Sequence, residues 1–282
     1  APDRDRGGQN GLMRKVAIVG VGLIGGSFGL ALRKAGYQGS IVGVSSPRSI
    51  DQALERGAID KGVTLEEAAS TCDLIFLAQP ILAIVETIEK LGPMVGGDTL
   101  VTDAGSTKQA IVAAARQHLT GCSFLGGHPM AGKELRGAAA ADGDLFRDRP
   151  WVLTEQLDHP TARVFQKWLR LFGAREIILD AAQHDRMVAW SSHLPQLAST
   201  ALASVLREQA PDAAQVAGPG LLDMTRLAMS SYDLWGDILD TNAGAIGAAL
   251  DAYIGKLQEL RDDFENQFAS GSEFARGLRE RR

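Results

Sequence analysis

A chain of 282 residues that is 45% hydrophobic and 22% charged holds enough apolar material for one large domain or two ordinary ones. Its net charge of -5, with no basic run carrying interleaved aromatics, excludes a nucleic-acid surface as its main business. No apolar run approaches the roughly 18 residues of a bilayer span, and the first residues lack the apolar segment of a secretory signal, so a cytoplasmic protein is expected. Cys72 and Cys122 stand apart, fit neither a disulfide framework nor a zinc site, and read as structural; no metal is expected.

Residues 1–12, rich in Arg, Asp and Gly and without hydrophobic period, read as a disordered lead-in or a remnant of expression, outside the fold. Lys15–Val19 is then a short apolar run of buried-strand type, followed by Gly20-Val21-Gly22-Leu23-Ile24-Gly25 and a helical segment to about Ala35. In a dinucleotide-binding unit the first glycine permits the tight turn and the second lets backbone N–H groups approach a pyrophosphate. The third lets the helix pack closely on the strand. Gly20, Gly22, Leu23, Ile24 and Gly25 are therefore candidate cofactor contacts. The second strand, Ser40–Val44, is not followed by the acid that would bind an NAD ribose. Ser45, Ser46 and Arg48 stand there instead and suit a 2′-phosphate, which favours NADP and leaves NAD possible. The plainer reading of Arg48 is a solvated first-turn residue of the next helix.

Alternation continues with a strand over Asp73–Ala78, a helix over Ile81–Leu91 and a strand over Thr99–Thr102. The pattern predicts an α/β doubly wound parallel sheet whose ligand sits at the carboxyl ends of the strands. Gln79-Pro80, Asp103 to Lys108 and Gly126 to Gly132 fall there, so Gln79, Pro80 and Asp103 join the candidate cofactor contacts. A strand over Ser123–Leu125 feeds the last of these loops, and Trp151–Thr154, a helix over Thr161–Leu171 and Glu176–Leu179 are expected to extend the sheet. The first domain is placed at 13–180. Beyond it only helical spacing remains: His184 to Arg207, kinked at Pro195, then Leu221 to Met229, Leu234 to Asn242 and Ala245 to Phe268. The second domain, 181–282, is expected to be all-helical, with apolar stripes broad enough for dimerisation and a charged, glycine-punctuated tail from Ser270.

A nicotinamide at the strand ends calls for a base that takes a hydroxyl proton as a carbonyl forms, and His128 suits that role. Taken alone it reads first as a turn histidine, and only its setting makes it a base. Ser106 on the preceding loop is placed to orient the imidazole or share the substrate hydroxyl, although Ser106 and Asp103 also read as helix caps. His193 and Arg226 are polar groups in apolar helical segments, and an arginine can clamp a carboxylate through two hydrogen bonds.

Gly20 to Ser27, Asp103 to Lys108, Gly127-His128-Pro129-Met130-Ala131-Gly132, Ser192-His193-Leu194-Pro195 and Asp223-Met224-Thr225-Arg226 occur together in an order that resembles the prephenate and arogenate (cyclohexadienyl) dehydrogenases. The likeness spans Met13 to Phe268 and is to the short forms that lack an ACT or chorismate mutase domain. It implies an NAD(P)-dependent oxidative decarboxylation in tyrosine biosynthesis by a homodimer joined through its helical half. It also implies a catalytic His128 with Ser106 as partner and Arg226 on a substrate carboxylate, with His193, Glu134 and Trp235 at the substrate pocket. Relatives that prefer prephenate commonly have a second histidine where this chain has Gln196, and the Ser45 to Arg48 loop resembles NADP-using arogenate enzymes. The resemblance thus leans toward arogenate with NADP. The competing readings are another dehydrogenase of this fold, such as a hydroxyacid or imine reductase, and a dinucleotide-binding sensor without catalysis.

Overall fold

The computed structural model describes residues 13–133 and 135–280. The expectation for residues 1–12 lies outside them. By its internal contacts the chain forms two compact units. One runs to Asp185 and includes Ser230–Thr241; the other comprises Arg186–Met229 and the chain from Asn242 onward.

The first unit is built on six parallel strands. They are β1 (Lys15–Val19), β2 (Ser40–Val44), β3 (Lys61–Gly62), β4 (Leu74–Leu77), β5 (Leu100–Asp103) and β6 (Ser123–Leu125), in the order β3-β2-β1-β4-β5-β6. Helices α1 (Leu23–Lys34), α2 (Pro47–Glu55), α3 (Leu65–Thr71), α4 (Ile81–Leu91) and α5 (Gln109–His118) make the crossovers. Strand side chains alternate between two cores: Val16 and Ile18 of β1 join one, Ala17 and Val19 the other, and Leu74 and Phe76 alternate likewise with Ile75 and Leu77. A sheet covered on both faces has no wet side, which is why these strands read as continuous apolar runs.

Register places the strand ends together. Val19 pairs with Val44 and with Leu77, and Leu77 pairs with Asp103, so the loops that follow open on one edge.

The chain then departs from expectation. The segments predicted to extend this sheet form a second one of three strands: β7 (Gly127–Pro129), β8 (Pro150–Leu153) and β9 (Arg175–Ile178), with β7 antiparallel to β8. The cause is the pair of glycines between β6 and β7. A Cβ at Gly126 would lie 2.7 Å from Thr154 Oγ1 and one at Gly127 2.6 Å from the Asp103 carbonyl oxygen, so only glycine lets the backbone turn there. Helix α6 (Pro160–Leu171) and β8 pack on the α1 face, where Phe28 stacks on Phe76 at 4.2 Å and Trp151 lies 4.9 Å from Phe146.

Helix α7 (Ala181–Val188) starts where Asp180 accepts a hydrogen bond from Gln183 N at 2.8 Å. A π-turn at Ala189–His193 joins it to α8 (Leu194–Gln209), with Pro195 in the first turn of α8. The predicted kink is therefore a π-bulge, which relieves the clash between the proline ring and the preceding turn. The second unit continues with α9 (Pro219–Thr225) and a 3₁₀ turn, Arg226–Met229. Helix α10 (Tyr232–Thr241), predicted within the helical domain, belongs instead to the first unit, where Ile238 and Trp235 pack against a core cluster of the sheet. The single helix expected over Ala245 to Phe268 is two, α11 (Ala243–Asp262) and α12 (Phe264–Glu280), broken at Asp263. Phe264, Phe268, Phe274 and Leu278 recur on one face of α12, so the segment expected as a polar tail is an amphipathic helix despite its glycines.

Candidate active site

Gly20 has φ +89°, and a Cβ there would lie 2.8 Å from the Ala78 carbonyl. Gly25 faces the Gly20 carbonyl oxygen so closely that a Cβ would lie 2.2 Å from it, which brings α1 against β1. Gly22, the N-cap of α1, differs: no side chain caps the helix, no acid occupies its first turn, and a Cβ at Gly22 would meet nothing within 4 Å. Packing asks for glycine at 20 and 25 but leaves open space at 22, beside unsatisfied N–H groups and the positive end of a helix dipole. The donor set fits a dinucleotide pyrophosphate. Leu23 and Ile24 follow in the first turn, both half-buried.

Along the same edge Ser45, Ser46 and Arg48 are exposed after β2, with the Ser46 hydroxyl capping α2 at 3.4 Å from Ser49 N. Gln79 accepts a hydrogen bond from Thr87 Oγ1 at 2.9 Å, and exposed Pro80 opens α4.

The loop after β5 leads inward to a network of buried charged and polar groups. Asp103, Lys108, His184 and Asp185 have no exposure and His128 has 9%. Asp103 Oδ1 accepts from Gly127 N at 3.0 Å, and Oδ2 accepts from Gly105 N at 2.8 Å and from the Lys108 ammonium, which also donates to the Gly127 carbonyl at 2.7 Å. The carboxylate of Asp103, a candidate cofactor contact, ties β5 to β7. Burial pushes the Lys108 ammonium below its ordinary pKa, while the charges of Asp103 and Asp185 pull it back.

His128, on β7, faces a partner that the sequence did not announce. Its Nδ1 lies 2.8 Å from His184 Nε2, and His184 Nδ1 lies 2.7 Å from Asp185 Oδ1. His184 is thus a partner at Nδ1; Ser106, expected to orient the imidazole or share the substrate hydroxyl, sits half-buried in the turn before α5. Asp185 in turn accepts from Lys108 N at 2.7 Å and Gln109 N at 2.9 Å, capping α5, which has no capping side chain of its own. Burial alone would raise the Asp185 carboxyl, but hydrogen bonds from His184, Gln109 N and Lys108 N outweigh it and hold the pKa below the usual value. His184-Asp185 carried one legible signal, two adjacent titratable residues at the start of a helix, but nothing in it pointed to a partner 56 residues away.

The remaining candidates lie on other elements. In the second unit His193 is buried in the π-turn, with Nδ1 3.3 Å from Asn242 Nδ2. Gln196, which stands where prephenate-preferring relatives have a second histidine, donates from Nε2 to the Leu227 carbonyl at 2.8 Å and so holds the 3₁₀ turn that begins at exposed Arg226. Trp235 is half-buried on α10 of the first unit, and Glu134 lies outside the described residues.

The strand order, the glycine turn and the uncapped helix start define a dinucleotide-binding unit of the dehydrogenase type, followed by a helical unit. Comparison with known proteins narrows this. The family described as "Prephenate dehydrogenase, nucleotide-binding domain" matches residues 28–177, and "Prephenate dehydrogenase, dimerization domain" matches residues 180–280. The chain belongs to the prephenate dehydrogenase family. It is 37% identical over 240 residues to the prephenate dehydrogenase of Lactococcus lactis subsp. cremoris, covering 82% of this chain and 65% of that protein. Its fold matches prephenate dehydrogenase from A. aeolicus in complex with hydroxyphenyl propionate and NAD+ at a TM-score of 0.86 and 29% identity, covering 96% of this chain and 99% of that one. It also matches Synechocystis arogenate dehydrogenase at 0.75 and 33% identity, covering 94% and 96%.

Proposed function

We propose that the chain is an NAD(P)-dependent dehydrogenase that oxidises and decarboxylates prephenate or arogenate, with His128 as the catalytic base. The observation that carries this reading is the place of His128: a buried imidazole hydrogen-bonded through Nδ1, on a strand whose preceding residue, Gly127, is held by Asp103 and Lys108. The residues that would hold the cofactor are Gly20, Gly22, Leu23, Ile24 and Gly25, with Ser45, Ser46 and Arg48 toward a 2′-phosphate and Gln79 and Pro80 nearby. A bound nicotinamide supplies the hydride acceptor. His128 takes the proton of the C4 hydroxyl while hydride leaves C4 and the carbonyl forms. The ring carboxylate then departs as carbon dioxide and its bonding electrons complete the aromatic ring, which makes the step irreversible. Ser106 shares the C4 hydroxyl, and Arg226 binds a substrate carboxylate through paired hydrogen bonds. His193, Glu134 and Trp235 are assigned to the substrate pocket by their match to the family's motifs.

Arogenate is the favoured substrate and NADP the favoured cofactor, on Gln196 and on the absence of an acid after β2. The likeness to Synechocystis arogenate dehydrogenase supports the former. Assembly as a homodimer through the second unit is supported by the dimerization-domain match and by the exposed apolar face of α12. No helix among the described residues is long and apolar enough to cross a membrane.

The test is a matrix of steady-state rates for prephenate and arogenate with NAD and NADP, repeated for His128→Asn. Turnover should fall about 10²- to 10⁴-fold in the variant with cofactor affinity little changed. Undiminished turnover removes His128 from the base role, and no turnover of either substrate by the wild type removes the assignment.

A further inference from the structure

His184 and Asp185 lie in no motif that carried the family resemblance, yet they hold the inner nitrogen of the proposed base. We infer that His184 and Asp185 are positioning residues that fix the tautomer of His128 and leave its Nε2 as the bare, proton-accepting nitrogen. The inference rests on the reading of His128 as base.

The protonation states follow from which groups can donate. An ionised carboxylate only accepts, so the proton in the 2.7 Å contact between His184 and Asp185 sits on His184 Nδ1. A neutral His184 then has a bare Nε2, which must accept in the 2.8 Å contact with His128, so His128 carries its proton on Nδ1. The nitrogen of His128 left without a proton is Nε2. Were His184 doubly protonated, His128 Nδ1 would have to accept and Nε2 would carry the proton, and no base would remain. The two arrangements differ by one proton held by the pair.

Asp185 suits its part because it cannot swing away or readily take up a proton. Both of its oxygens are held by the first N–H groups of α5, Lys108 N on Oδ1 and Gln109 N on Oδ2, in a site with no exposure. The Lys108 ammonium, whose charge interacts with that of Asp185, is itself ion-paired with Asp103. Asp185 is thus the charge that answers a proton arriving at His128, acting through His184. The T-shaped approach of the rings, 72° at 5.0 Å between centroids, keeps the two nitrogens aimed at each other.

Nitrogen-15 spectra of the wild-type protein at neutral pH with oxidised cofactor bound should show both rings protonated at Nδ1 and bare at Nε2. The reverse tautomer in either ring overturns the inference. His184→Gln should lower kcat about 100-fold or more while KM for substrate and cofactor stays within about threefold. Asp185→Asn keeps an amide oxygen to cap α5 but loses the charge. It should lower the plateau of kcat/KM about tenfold or more and move its acid limb to lower pH, because a pair without Asp185 binds a proton less tightly. A purely structural role would lower stability and leave the acid limb where it is. If His184→Gln does not fold, the wild-type spectra and the Asp185→Asn profile decide. A protein that needs His128 but keeps wild-type kcat and acid limb in these variants refutes this inference alone; turnover that survives His128→Asn refutes the base assignment first.

Discussion

Lys108 is an ammonium with no exposure beneath the nucleotide edge, held by Asp103 and the Gly127 carbonyl. Two buried charges are tolerable as a pair, whereas one left alone is not. Lys108→Met should therefore lower unfolding stability by about 3–5 kcal/mol in urea titration, since Asp103 would remain buried without its countercharge. A loss under about 1 kcal/mol would show that the buried ion pair contributes little to stability. Arg48 is the opposite case, exposed on α2 and dispensable to the fold. Arg48→Ala should weaken NADP by about 1.5–3 kcal/mol more than NAD in direct titration, the worth of a charged hydrogen bond. Equal weakening of both would mean that Arg48 does not meet the 2′-phosphate.

The turn between β1 and α1 separates glycines required by packing from one that packing leaves free. Gly25→Ala places a methyl 2.2 Å from the Gly20 carbonyl oxygen, backbone that cannot move aside, and should cost about 1–3 kcal/mol or more of stability. Gly22→Ala meets no protein atom within 4 Å, so thermal unfolding should change little while dinucleotide affinity falls. Unchanged affinity in Gly22→Ala would show that the phosphates bind elsewhere. Strands β1, β2 and β6 and helix α4 were read from the sequence with their observed bounds, because a doubly covered sheet makes short, unbroken apolar runs. The second sheet was misread as more of the first, because β8 and β9 carry the same local pattern whichever sheet they join. Their separation rests on Gly126 and Gly127 meeting Thr154 and Asp103, distant in sequence.

In the molecule as a whole, Phe264, Phe268, Phe274 and Leu278 leave one stripe of α12 exposed in the single chain, a surface that water disfavours and a second copy can cover. Wild-type protein should sediment as a dimer and Phe268→Asp as a monomer; a monomeric wild type at micromolar concentration would sink the homodimer. Most strands of the first sheet and the nucleotide turn were legible in the linear chain, since each depends on residues within a few positions of one another; β3, β7, α3 and α5 were not read, and His128 could be named only as a candidate base. Ser106, Arg226 and the other family residues could be named from motifs, but their surroundings could not. The assignment of α10 to the first unit, the use of Asp103 as a clamp and the line from Asp185 through His184 to His128 depend on contacts across 24 to 155 residues. Periodicity and propensity report each segment's own preferences, while a hydrogen bond between distant segments exists only after folding has brought them together.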